Sequence, residues 1–144
     1  MTWLIGAVAS LCLFGGTDQG GSYAAPMHEN DAAQVARIVT ERFHEEFPAA
    51  ATELLLVPTG GCAKGDTFST AFTRELRAAG FALASSRDLS PQSHVVRYQL
   101  TNDPKRGVFL RLFINDTETA QYFARRADGL LAAGGPITQR RARR

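Results

Sequence analysis

The sequence predicts an α+β domain, with two helices packed on one face of a small antiparallel or mixed sheet, behind an N-terminal signal segment. Three observations carry this expectation. Apolar residues recur at spacings of three and four in 31–47 and 66–79, the period of a half-buried helix. They alternate in 95–100 and 108–114, the period of a half-buried strand. A mostly apolar run at 3–14 gives way to small and polar residues, as a secretory leader does.

Residues 1–24 read as that leader, 25–30 as a linker, 31–138 as the α+β domain and 139–144 as a basic tail. Ser22-Tyr23-Ala24 has the small-x-small form that signal peptidase accepts, so cleavage is expected before Ala25. No Lys or Arg precedes the apolar run. Cys12 is the candidate for lipidation, against Leu11 in the place where a lipoprotein leader carries a small residue; the plainer reading is one more apolar residue of the leader.

The first helix carries Val35, Ile38, Val39, Arg42, Phe43 and Phe47 on one stripe, with Asn30 or Asp31 as its cap and Pro48 as its stop. Glu53-Leu54-Leu55-Leu56-Val57 reads as a buried strand. A glycine-rich loop at 59–65 leads into the second helix, with Phe68, Phe72, Leu76 and Ala79 inward and Gly80 as a left-handed stop. A short strand at 81–84 precedes the alternating strands 95–100 and 108–114. Asn115-Asp116 is a two-residue turn into 117–124, and Asp128-Gly129 a turn before a short segment at 130–132. The order is αβαβ followed by a meander, without internal repeats.

Catalytic motifs are weak throughout. Gly60-Gly61-Cys62-Ala63-Lys64-Gly65-Asp66-Thr67 sits between a strand and a helix, where backbone amides hold phosphates in other folds. Here Lys64 precedes the last glycine and Asp66 follows it, so a carboxylate stands where the phosphate belongs. Cys62 beside Lys64 and a helix start has a setting that favours thiolate, yet spacing brings no base to it from His28, His44 or His94. The histidines lack metal-ligand spacing, and no Gly-x-Ser-x-Gly motif is present. A non-enzymatic protein without cofactor, metal or small-molecule substrate is expected. Arg140, Arg141, Arg143 and Arg144 end the chain, and without them the net charge changes from +2 to −2. The folded body is therefore no basic nucleic-acid binder, and the tail is expected to be a solvated end.

The meander offers a surface instead. Val108, Leu110, Leu112 and Ile114 share one face; Phe109, Arg111 and Phe113 share the other. With the turn at Asn115-Asp116, Phe109 opposes Tyr122 and Phe113 opposes Glu118. Phe109, Arg111, Phe113 and Tyr122 then form an aromatic and arginine patch suited to a protein partner or to single-stranded nucleic acid. The competing expectation is that the C-terminal segment, 130–137, covers this face.

Several stretches resemble the TrbH family of small conjugal-transfer envelope proteins. They are the 35–47 helix ending in Phe47-Pro48, and Thr52-Glu53-Leu54-Leu55-Leu56. The clearest is Phe72-Thr73-Arg74-Glu75-Leu76-Arg77-Ala78-Ala79-Gly80-Phe81-Ala82-Leu83, with Tyr98-Gln99-Leu100 and Gln121-Tyr122-Phe123-Ala124-Arg125 following in order. The resemblance covers 31–138. It implies a non-enzymatic part of a type IV secretion machine, exported to the periplasm or the periplasmic face of the outer membrane. Its expected partners are other envelope subunits, with membrane association through the leader and no direct nucleic-acid binding. The family begins with a lipoprotein leader, from which this sequence departs. The alternatives are an envelope assembly or regulatory factor outside conjugation, and a secreted binder or hydrolase using the Cys62 loop.

Overall fold

The alternating stretches form the centre of the structure. The computed structural model describes residues 21–57, 66–84 and 90–141, and within them seven strands make one mixed sheet with two helices on a single face. The strands are β1 (Tyr23–Ala24), β2 (Glu53–Leu56), β3 (Ala82–Leu83), β4 (Ser93–Asp103), β5 (Gly107–Ile114), β6 (Thr117–Arg125) and β7 (Leu131–Arg141). The helices are α1 (Glu29–Glu46) and α2 (Thr67–Ala78). Across the sheet the order is β3-β2-β4-β5-β6-β7; β1 lies beside β4, beyond the end of β2 on the same edge. Strands β1, β2 and β3 run parallel to their neighbours, joined through helices, whereas β4 to β7 form an antiparallel meander.

The α+β expectation holds, and the register of the meander is the one the turn dictates. Ile114 pairs with Thr117 around Asn115-Asp116, so Phe109 faces Tyr122 and Phe113 faces Glu118. Asn115 takes a positive φ of 52°, which asparagine tolerates at small cost. Its amide bonds Val95 O at 2.9 Å and its Oδ1 accepts from Val95 N at 3.0 Å, so the turn also secures the start of β4. At the other end of β5, Gly107 has φ 136°, and any Cβ there would collide with the carbonyl oxygen of Phe123.

The core lies between the helices and the face made by Leu54, Val96, Tyr98, Leu100, Leu110, Leu112 and Phe123. Helix α1 buries Ala32, Val35, Ala36, Val39 and Phe43, and α2 buries Phe68, Ala71, Phe72 and Leu76, each at helical spacing. Tyr98 is the hub of an aromatic cluster, edge-on to Phe68 at 5.1 Å and to Phe72 at 6.1 Å between ring centroids. Its hydroxyl bonds the Oγ of Ser69, which itself donates to Asp66 Oδ2 at 2.6 Å. Asp66 Oδ1 accepts from Ser69 N at 2.6 Å, so the cap of α2 is joined to the core through one serine.

Four expectations require correction. Residues 22–24, assigned to the leader, belong to the sheet: β1 pairs with β4, Ser22 Oγ accepts from Tyr98 N at 3.1 Å, and Ala25 N donates to Leu100 O at 2.9 Å. Neither Asn30 nor Asp31 caps α1; His28 stands at the cap position without a side-chain bond. Asp31 instead reaches across to Arg125 at 2.9 Å, where a half-buried guanidinium makes a charge-assisted pair with the carboxylate. The segment at 130–132 leads into an 11-residue strand, β7, because the unpaired edge of β6 offers it a ladder. That strand takes in Gln139, Arg140 and Arg141 of the supposed tail.

Burial pushes the Tyr98 phenol up from 10.0 to about 12, against the opposite pull of its bond with Ser69. Because the folded state holds the proton more tightly, the resulting stabilisation is present below the unfolded pKa of 10.0 and is lost as pH rises toward about 12. Tyr98→Phe should therefore unfold less steeply in alkali than the wild type. At neutral pH it should cost about 0.5–1.5 kcal/mol through the lost hydroxyl bond. Thermal melts across that pH range measure both effects.

Candidate functional site

One face of the sheet carries the helices; the other carries none among the described residues. On that open face β4 contributes Arg97 and Gln99, β5 contributes Phe109, Arg111 and Phe113, and β6 contributes Glu118, Ala120 and Tyr122. Strand β7 adds Gly134, Thr138 and Arg140, and β1 adds Tyr23 beside Gln99. The chain after Gly129 pairs edge to edge with β6 as β7 instead of lying across the strands, so covering by 130–137 does not occur.

The patch has two parts. At one end Phe113 is half-buried, with the Arg97 guanidinium 5.1 Å and the Arg111 guanidinium 5.3 Å from its ring centroid. Arg111 Nε donates to Glu118 Oε1 at 2.8 Å, its second nitrogen donates to Gln99 Oε1 at 2.9 Å, and Arg140 donates to Glu118 Oε2 at 2.9 Å. The two guanidiniums, Arg111 first, hold the Glu118 carboxyl below the usual glutamate range. These contacts pre-order the side chains and take away much of their rotamer freedom.

At the other end Phe109 and Tyr122 lie side by side, 40% and 41% exposed, with Tyr23 at 48%. The Tyr122 hydroxyl donates to Arg106 O at 2.6 Å, which holds the ring in one orientation. Beside this pair the β6–β7 ladder slips: Ala120 pairs with Thr138, but Tyr122 pairs with Gly134. The slip opens a shallow notch bordered by Phe109, Ala120, Tyr122, Ala124, Gly134 and Thr138.

Phe109, Arg111, Phe113 and Tyr122, singled out from sequence, therefore share one surface. Arg97, Arg140 and Tyr23 complete it and were missed. Arg97 was legible, since alternation about Val96 and Tyr98 puts it opposite the core; Tyr23 and Arg140 were assigned to leader and tail. The histidines do not converge on one point. His28 precedes α1, His44 lies edge-on to Phe81, and His94 packs on Phe47 and contacts Asn115. Cys12, the candidate lipidation site, and Cys62 with its glycine-rich loop lie outside the described residues, as do Arg143 and Arg144.

A family model described as conjugal transfer protein TrbH matches residues 16–141, which take in both helices and every described strand. No curated protein and no solved structure matches the chain.

The two faces predict separable effects of substitution. Leu112, 3% exposed, faces the core, and Leu112→Ala should cost about 2–5 kcal/mol. Phe113→Ala loses contacts with two guanidiniums and should cost about 1 kcal/mol. Phe109→Ala, on an exposed ring, should stay within about 0.5 kcal/mol of wild type. Denaturant titration of the three variants gives the ranking, and a loss at Phe109 equal to that at Leu112 would show that the face is covered.

Proposed function

This chain belongs to the TrbH family of conjugal transfer proteins, and from that premise we propose that it is a non-enzymatic component of a type IV mating-pair apparatus, acting through protein contacts on its open sheet face. The observation that carries this reading is the exposed pair Phe109 and Tyr122 beside a pre-ordered arginine cluster, on the side of the sheet away from both helices. Aromatic and arginine side chains supply most of the affinity in protein interfaces, because they desolvate large area at small cost in entropy. The open outer edge of the sheet is a poorer docking line. Its strand, β7, is interrupted by the slipped ladder and carries Pro136, which has no amide hydrogen to offer.

The double variant Phe109→Ala, Tyr122→Ala should fold normally and depress plasmid transfer. Loss of hot-spot side chains weakens an interface by about 2 kcal/mol or more, roughly thirtyfold in affinity. Mating assays with the variant supplied in place of the wild type measure the effect. Transfer at the wild-type frequency by a folded double variant would sink the reading.

Export belongs to the same proposal, in an envelope position on the periplasmic side. The proposal sets the end of the leader before Ser22; in support, cleavage before Ala25 would remove β1 and deprive the Tyr98 amide of its partner. Terminal sequencing of the envelope-fraction protein should find Ser22, Tyr23 and Ala24 retained. A mature terminus at Ala25 would refute this boundary.

A further inference from the structure

Charge around Phe113 on the open face is unbalanced in a way that describes its partner. Arg97, Arg111 and Arg140 stand there against Glu118, which two of them already share. Arg97 has no carboxylate partner among the described residues; the ring of Phe113 is its neighbour. The other carboxylates of this face stand apart from the strip: Glu53 beside Ser93 at the start of β4, where it accepts from Ser93 Oγ at 2.5 Å, and Asp103 at its far end, where it accepts from the amides of Lys105 and Arg106. Next to this positive strip lies the notch of Phe109, Ala120, Tyr122, Ala124 and Gly134. Arg111 pairs with Ala120 across the β5–β6 ladder, so the strip and the notch are about 5 Å apart.

We propose that this face receives an extended acidic segment of another protein of the transfer apparatus. One carboxylate pairs with Arg97, a neighbouring one supplements Glu118 at Arg111, and a bulky apolar side chain of the segment fills the notch. The inference rests on the functional reading above and adds the chemistry of the partner. Both features recognise the same object: Arg97 calls for a negative charge, and small residues between two rings call for a large apolar group. An arginine already held over a ring keeps its charge while giving up little freedom on binding, which favours a paired carboxylate there. A nucleic acid fits less well. The guanidiniums over Phe113 occupy the ring that a base would stack on.

The test places a photo-crosslinking phenylalanine derivative at position 109 of the full chain, in cells carrying the transfer system. The crosslinked segment is then sequenced. An adduct with a segment that carries Asp or Glu beside a large apolar residue, weakened about tenfold by Arg97→Glu and kept by Arg97→Lys, supports the proposal; tenfold is about 1.4 kcal/mol of binding. An adduct with a neutral or basic segment, with DNA or with lipid overturns it, and so does the absence of any adduct. The mating assay of the Phe109→Ala, Tyr122→Ala variant separates the two levels. If transfer falls in that variant but the crosslinked segment is not acidic, the face is a docking site of other chemistry. If transfer is unchanged and no adduct forms, both readings fall.

Discussion

The structure depends on the pairing of β4. It is the strand at which the parallel and antiparallel parts of the sheet meet: β1 and β2 share one of its edges and β5 takes the other. Its side chains alternate strictly, with Val96, Tyr98 and Leu100 toward the helices and Arg97 and Gln99 away. A slip of one residue would bury the arginine and expose the tyrosine, so the register is held by burial as well as by the ladder. Through the Asn115 turn the same register passes to β5 and β6, and the composition of both faces follows.

Hydrogen bonds then orient the helices that burial attracts. Hydrophobic packing alone is non-directional and would tolerate several placements of α1 and α2. Four polar links select among them. Tyr98 joins Ser69 and the Asp66 cap at the start of α2; Asp31 pairs with Arg125 at the start of α1; and Arg42 donates to Gln121, buried on the core face of β6. Gln34 also accepts from Leu131 N at 2.9 Å, joining α1 to β7. Each link satisfies a group whose burial would otherwise cost about 1–3 kcal/mol, so a helix shifted by one turn loses several at once.

With both helices on one side, the other side of the sheet carries no helix among the described residues. Its side chains are ordered by one another: rings beneath guanidiniums, guanidiniums on Glu118, and a hydroxyl on a backbone carbonyl. Most of its polar groups are paired, and its most exposed rings among the described residues are Phe109, Tyr122 and Tyr23.

Local chemistry by itself determined the elements and the central register. The spacing of Val35, Val39 and Phe43, the alternation from Val108 to Ile114, and a two-residue turn at Asn115-Asp116 each encode their geometry within a few residues. Hence the two helices, the meander, and the facing of Phe109 with Tyr122 were legible before any coordinates. Tertiary structure decided whatever depended on a distant partner. Ser22 to Ala24 have the composition of a cleavage site, and only the free edge of β4 makes them a strand. Asp31 has the look of a cap, and only Arg125, far along the chain, draws it elsewhere. Residues 131–141 carry small, polar and basic side chains with weak alternation, and only the unpaired edge of β6 turns them into β7. The same pairing keeps β7 off the opposite face, because a segment committed to an edge ladder is not available to cover the sheet.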